Sequence, residues 1–394
     1  MTTPADVRAG GDNARPPRAE AKRARAARLL AFYLPQFHPI PENDEWWGKG
    51  FTEWTNVAKA RPMFPGHWQP RLPADLGFYD LRVPEVREEQ ARLAATHGIE
   101  AFCYWHYWFG HGKRLLERPF LEMLRSGKPD FPFCLAWANV DWEGSWYGAR
   151  HKLLVRQEYP GREDYVRHFE AVAEALADPR NLTIDGRKVF FVLTPRWMPD
   201  AVEFSDCWRD LAARRGIGEL YLIGYGPRDT APRDMGFDAW IVLGQSPRDI
   251  LRYVRPPLAT RHWNNRIMRY ILRRPLVYDY RDAVRCALPA RNPFPFTNFP
   301  CIYPNWDNTP RAGHNGLVFV NSDPGCFKDY LRASIRYVQS YAPQERLVFI
   351  KSWNEWAEGN YLEPDRRFGL GWLEAVRDVL DEPGVPARQP QGAP

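Results

Sequence analysis

Cysteine is scarce in this chain and nowhere arranged for cross-linking. Six thiols (Cys103, Cys134, Cys207, Cys286, Cys301 and Cys326) are spread through 394 residues, with no CxxC pair and no Cys/His metal spacing. This argues against a disulfide framework and fits a reducing compartment. Two of them sit inside the apolar runs "AFCYW" and "FPFCLAW", where a thiol packs as a small hydrophobe. Long apolar runs are missing too: no segment approaches the roughly 20 residues that cross a bilayer. The run "LLAFYLP" follows an arginine-rich start, but it ends at Pro35 and lacks a small-residue cleavage site. It does not read as a signal peptide. The expectation is a cytoplasmic chain without a transmembrane segment.

Phosphate-binding loops are also absent. Neither GxxxxGK[ST] nor GxGxxG occurs, and no isolated DxD is present to hold a nucleotide-sugar metal, which counts against nucleotide chemistry. Net charge is +6. The first 28 residues hold seven Arg/Lys against three Asp/Glu, or +4 of that total. The remainder is nearly neutral and has no basic stripe for a nucleic acid backbone. No cofactor is implied.

What the chain has in excess is aromatic surface: 14% Phe, Trp and Tyr, with 17 tryptophans. Its apolar residues fall in eight short runs, at 29–35, 99–105, 131–137, 188–194, 219–225, 237–243, 300–306 and 346–353. Each has the length and β-branched or aromatic content of a buried strand. Amphipathic patterns such as "PEVREEQARLAATHG", "EDYVRHFEAVAEALADP" and "FKDYLRASIRYVQSYAP" lie between them. Strands alternating with helices predict a single (β/α)8 TIM barrel, with long βα loops. The stretch 245–298 exceeds one crossover and predicts an insertion before strand seven. Residues 1–27 and 384–394 read as disordered tails around a catalytic domain at 28–383.

A barrel gathers its functional residues just after each strand, on the C-terminal face. Strand one is followed by Gln36, His38, Trp46, Trp47, Glu53, Trp54 and Asn56, and "YWHYWFGHG" ends strand two. Strand three leads into Asn139, Asp141, Trp142 and Trp146, and strand four into Arg196 and Trp197. Strand seven gives Asn305, Trp306 and Asp307, and strand eight gives "KSWNEWAEGNYLEPD" with Asn354 and Trp356. Tyr33, Tyr104, His106 and Trp137 stand at strand ends and join the binding candidates. Rings beside Asn, Asp, Glu and His suit sugars, whose C–H faces stack while their hydroxyls take directional hydrogen bonds. The other reading is that individual tryptophans cap the barrel core.

Glu355 and Glu358 are the catalytic candidates. Paired carboxylates flanking a bond are the usual apparatus of glycoside cleavage, and two glutamates packed near Trp353 and Trp356 would raise each other's proton affinity. The bland reading is an exposed pair at a helix start. His38, His106 and His111 have neither HxH nor HExxH spacing, so no metal is expected. Asp307, in "PNWDNTPR", serves either a sugar hydroxyl or an Asp-Asn-Thr-Pro turn. Asn139 and Asp141 carry the same two readings.

The segments "AFYLPQFHPIPENDEWWGKGFTEWTNV", "YWHYWF" and "WNEWAEG" together resemble the WbsX-type proteins of bacterial lipopolysaccharide and capsule loci. These are distant relatives of glycoside hydrolase family 99. The likeness runs from about residue 30 to about residue 380. It implies a retaining, metal-free enzyme acting on an oligosaccharide or polysaccharide. In that mechanism Glu355 draws the proton from the substrate's 2-hydroxyl, and Glu358 protonates the leaving oxygen and then activates water. Ala357 stands where the mannosidases would carry a polar residue, which leaves the sugar open. Because WbsX-type proteins are commonly labelled glycosyltransferases, transfer from an activated donor in O-antigen biosynthesis is the alternative activity.

Overall fold

The eight apolar runs form eight parallel strands in a computed structural model that describes residues 26–144, 152–242 and 271–382. We label them β1 (Arg28–Tyr33), β2 (Ile99–Trp108), β3 (Phe133–Trp137), β4 (Arg187–Val192), β5 (Leu220–Tyr225), β6 (Ala239–Ile241), β7 (Cys301–Ile302) and β8 (Leu347–Ile350). They pair in the order β6-β5-β4-β3-β2-β1-β8-β7. In register, Tyr33 lies beside Tyr104, Cys103 beside Cys134, and Ala31 beside Ile350. A parallel bridge between Trp240 and Asn298 joins the two edges. There Trp240 N donates to Thr297 O at 3.1 Å and Phe299 N donates to Trp240 O at 2.9 Å. The sheet is a (β/α)8 barrel.

Helices α1 (Pro41–Trp47), α2 (Glu53–Lys59) and α3 (Pro84–Thr96) follow β1, and α4 (Arg118–Ser126), α5 (Arg162–Ala177) and α6 (Ala201–Arg214) follow β2, β3 and β4. Between β5 and β6 the helix is replaced by a 3-10 turn, Pro232–Met235. α7 (Tyr280–Ala287) precedes β7, α8 (Thr309–Ala312) and α9 (Pro324–Val338) follow it, and α10 (Gly371–Asp381) follows β8. Their starts are legible: Asp200 caps α6 by accepting from Glu203 N at 2.8 Å, and Asp323 caps α9 by accepting from Cys326 N at 2.8 Å. Pro324 occupies the first turn of α9, where its missing N–H costs nothing.

Alternate residues point into the barrel, and the interior is aromatic. Phe32 of β1 stacks on Trp105 of β2 at 4.7 Å and meets Phe191 of β4 at 5.3 Å, edge to face. Tyr225 and Phe349 complete the layer. The Lys351 ammonium sits above it, 5.5 to 5.9 Å from the rings of Tyr225, Trp105 and Phe32. The side chains above this layer therefore rest on a packed floor.

The excursion expected at 245–298 is present in its described part. Leu276–Asp279 pairs in parallel with Leu317–Val320 as a separate two-stranded sheet, and α7 follows. Residues 243–270 lie outside the description, as do Trp146 and, apart from Ala26 and Ala27, both expected tails. Cys103, Cys134, Cys207, Cys301 and Cys326 are free thiols. No helix among the described residues is long and apolar enough to cross a membrane.

Candidate active site

The end of β8 is fastened to the end of β1. Asn354 Oδ1 accepts from Leu34 N at 2.7 Å while its Nδ2 donates to Leu34 O at 3.0 Å, and Trp353 N donates to Phe32 O at 2.7 Å. Ser352 Oγ accepts from the amides of Asn354 and Glu355 at 3.2 and 3.0 Å, which turns the chain upward. Asn354–Glu355 then pairs antiparallel with Asn360–Tyr361, and the hairpin tip is the 3-10 turn Trp356–Glu358. With three residues per turn, positions three apart lie on the same side. Glu355 and Glu358 accordingly face the same group.

That group is Arg311, on the one-turn helix α8. It donates from Nη2 to Glu355 Oε2 at 2.8 Å and from Nη1 to Glu358 Oε1 at 2.8 Å. It also meets Glu53 of α2, with Nε 3.1 Å and Nη2 3.0 Å from Oε2. The loops after β1, β7 and β8 thus converge on one guanidinium. Exposure of these side chains is 9% for Arg311, 10% for Glu355, 8% for Glu358 and none for Glu53, so the cluster barely opens to solvent. Burial pushes the Glu358 carboxyl up to about 7. Arg311 pulls it down, and the neighbouring Glu355 and Glu53 push it up.

Several binding candidates belong to the frame of this site instead. The tryptophans flanking the pair are buried: Trp356 stacks on Tyr361 at 3.8 Å and donates from Nε1 to Glu363 at 2.6 Å, while Trp353 packs on Phe102 at 5.0 Å. Tyr33, Tyr104, His106 and Trp137 have the strand parity opposite to Phe32 and Trp105, and face the helices. Tyr33 donates to Gln90 of α3 at 2.6 Å, and Tyr104 packs on Phe120 of α4 at 5.3 Å. His106 Nε2 lies 2.9 Å from His168 Nε2 of α5, and burial pushes His106 down to about 3. Trp137 donates to Trp108 O at 2.8 Å and packs against Phe204 of α6.

The expected hydroxyl partners bond to groups of the protein. Asn139 is fully enclosed. Its Oδ1 accepts from Thr194 N at 2.7 Å, and its Nδ2 donates to Tyr159 Oη and Thr194 O. Asp307 accepts from His67 Nε2 at 2.8 Å, Gln69 Nε2 at 2.7 Å, and Thr309 N and Oγ1 at 3.0 and 2.6 Å. Burial alone would raise its carboxyl, but the His67 hydrogen bond and the Arg71 charge hold it below the usual range. Its bonds to Thr309 close the turn that leads into α8, the helix of Arg311. Asp141, half-buried, accepts from Gln157 N at 2.6 Å.

The remaining strand-end candidates divide between framework contacts and buried polar atoms without a protein partner. Gln36 is buried, and its carbonyl accepts from Glu53 N at 3.1 Å. His38 Nδ1 bonds to Pro35 O at 3.0 Å, burial lowers its proton affinity, and its Nε2 has no protein partner. Asn56, one turn along α2 from Glu53, and Asn360, in the hairpin, are fully buried with both amide atoms unpartnered. Asn305 accepts from Trp306 N at 2.6 Å, but its Nδ2 is unpartnered. Buried polar groups left unsatisfied by protein mark places for water or ligand hydroxyls. Trp306 is nearly buried beside Tyr303, and Trp54 donates to Tyr79 O at 2.7 Å and packs on Trp356. Trp142 stays partly open, edge-on to Trp46 at 6.0 Å and to Tyr107 at 5.0 Å.

Arg311 was not foreseen. The only signal for it is its position in "DNTPRAG", just beyond a strand that ends on the functional face. Beneath Trp356, Glu363 is fully buried and accepts from Tyr79 Oη at 2.9 Å and Gln90 Nε2 at 2.6 Å. Among the described residues, no cluster of His, Cys, Asp and Glu is arranged to hold a metal ion.

Two solved structures share the fold at low identity. A glycoside hydrolase-like protein superposes with a TM-score of 0.55 at 15% identity, covering 90% of this chain and 94% of its own. The GH99 endo-alpha-mannosidase from Bacteroides thetaiotaomicron, in complex with BIS-TRIS-propane, does so at 0.53 and 14%, covering 90% and 96%. The WxcX protein of Xanthomonas campestris pv. campestris strain B100 is 42% identical over 366 residues, which is 90% of this chain and 50% of WxcX. A second WxcX, from strain ATCC 33913, matches to the same extent. The chain thus spans about half the length of the curated relatives it matches. The family model for glycosyltransferase WbsX matches residues 29–376, and the chain belongs to the WbsX family.

Proposed function

We propose that the chain cleaves or transfers a glycosidic bond in a bacterial surface polysaccharide, with retention, using Glu355 and Glu358. The observation that carries this reading is the buried hairpin tip. It holds two carboxylates on one guanidinium, and burial keeps one of them, Glu358, partly protonated near neutrality. A general acid needs its proton at the working pH, while its partner needs to be ionised. In the first step Glu355 takes the 2-hydroxyl proton as O2 bonds to C1. The bond from C1 to the leaving oxygen breaks, and that oxygen takes the proton of Glu358. In the second step Glu358 takes a proton from water or an acceptor hydroxyl, whose oxygen bonds to C1. The C1–O2 bond then opens, and O2 recovers its proton from Glu355. The free thiols fit a cytoplasmic site of action.

The partly open rings of Trp46 and Trp142 and the unpartnered amides of Asn56, Asn305 and Asn360 suit an oligosaccharide with several bound units. The test is incubation with the source organism's own surface polysaccharide, with products read by mass. Cleavage or transfer at a residue with a free 2-hydroxyl is expected. Cleavage at a 2-acetamido or 2-deoxy residue would remove the role given to Glu355.

A second reading, transfer from a nucleotide- or lipid-linked sugar, is favoured by the family's description as glycosyltransferase. Calorimetry across the common nucleotide-diphosphate sugars separates the two. Saturable binding of one donor would place transfer first.

A further inference from the structure

We infer that Arg311 is the positioning residue of this site: its guanidinium fixes one oxygen of Glu355 and one of Glu358, turns the other oxygen of each toward substrate, and is itself held by Glu53. The inference rests on the proposed roles of Glu355 and Glu358.

The geometry is that of a planar fork. Nε and Nη2 grip Glu53 Oε2 at 3.1 and 3.0 Å, Nη2 also reaches Glu355 Oε2 at 2.8 Å, and Nη1 reaches Glu358 Oε1 at 2.8 Å. Because the donors of a guanidinium diverge at fixed angles in one plane, they set the angle between the two acids as well as their distances. Glu355 Oε1 and Glu358 Oε2 have no donor among the described residues, and both side chains keep some exposure, 10% and 8%. Each acid therefore has one oxygen tied back and one left for chemistry.

The fork is anchored on both sides. Glu53 is fully buried, and its amide donates to Gln36 O at 3.1 Å. On the other side Asp307 starts the helix of Arg311 through Thr309 and is fixed by His67 and Gln69. Asp307 N also donates to Glu358 O at 2.6 Å, so the segment that leads into the Arg311 helix is bonded directly to the acid hairpin. Three carboxylates this close would repel one another without the cation between them. The cation also opposes the burial that raises Glu358 and so limits how tightly that group holds its proton.

The assay uses the full chain with the source organism's surface polysaccharide, and compares Arg311→Lys with Glu355→Gln and Glu358→Gln. Lysine keeps the charge but supplies a single nitrogen, so Arg311→Lys is expected to lower kcat by about 10- to 100-fold, with KM within about threefold, as for a misplaced catalytic group. A structural ion pair alone would leave kcat within twofold. That result, with both Gln variants inactive, overturns the inference while the proposed function stands. Full activity in either Gln variant instead removes the proposed function. A second measurement then decides on Arg311 without turnover: titration of 13C-labelled glutamate carboxyls by NMR. The Glu358 transition is expected to rise in Arg311→Met and to fall back in Arg311→Met combined with Glu53→Gln. An unmoved transition overturns the inference.

Discussion

Arg71 donates from Nη1 to the carbonyl of Gly359 at 2.8 Å, and a Cβ on Gly359 would lie 2.8 Å from that same nitrogen. Gly359 follows Glu358 at φ +58, in the left-handed region, and Asp307 Cβ would stand only 2.9 Å from the added carbon. The hairpin that carries both acids thus closes only with glycine at this position. Gly359→Ala is expected to destabilise the fold by about 2 kcal/mol from backbone strain and crowding together. It should also reduce turnover by displacing Glu358. Calorimetric unfolding beside a kinetic assay checks this, and wild-type values in both would contradict it.

Trp356 and Trp142 should respond differently to truncation. Trp356 is fully buried against Tyr361 and holds Glu363, so Trp356→Ala is expected to cost about 3–5 kcal/mol of stability. Trp142 is partly open among Trp46, Tyr107 and Phe109. Trp142→Ala should leave unfolding within about 1 kcal/mol while weakening oligosaccharide binding by about tenfold. Unchanged binding in the Trp142 variant would remove this ring from the sugar path.

Stability should carry a pH signature from Glu363. Its ordinary value is 4.5, and burial raises it to about 7 although Trp356, Gln90 and Tyr79 donate to it. The fold therefore favours the protonated form. This contribution is complete below about pH 4.5 and is lost as pH rises through 7, on the order of 3 kcal/mol in all. Glu358, raised to about 7 as well, adds a slope of the same sign. Denaturant unfolding from pH 4.5 to 8 should show a shallower decline for Glu363→Gln than for wild type. Identical declines would contradict the assignment.

The strands were legible because each is a short apolar run bounded by turn residues. Their ends were less so. Proline cannot donate to a ladder, so "FPFCLAW" pairs as a named strand only from Phe133, and "PCIYPNW" is reduced to Cys301–Ile302 between Pro300 and Pro304. The acid pair was legible as two carboxylates three residues apart in a strand-end segment. The rings are harder to read, since a ring at a strand end faces the substrate only if parity and the helix layer leave it uncovered. Trp137, Tyr104 and His106 fail that condition. Arg311 was marked by its position alone, because its partners, Glu53, Glu355 and Glu358, are brought to it only by closure of the barrel.

The most direct test of the central claim is steady-state cleavage or transfer of the surface polysaccharide by Glu355→Gln and Glu358→Gln, with glycan affinity measured in parallel. Removal of a positioned acid or base typically costs about 10²–10⁴-fold, so each variant should lose at least that much turnover and bind the glycan as wild type does. Full turnover in either variant would contradict the account.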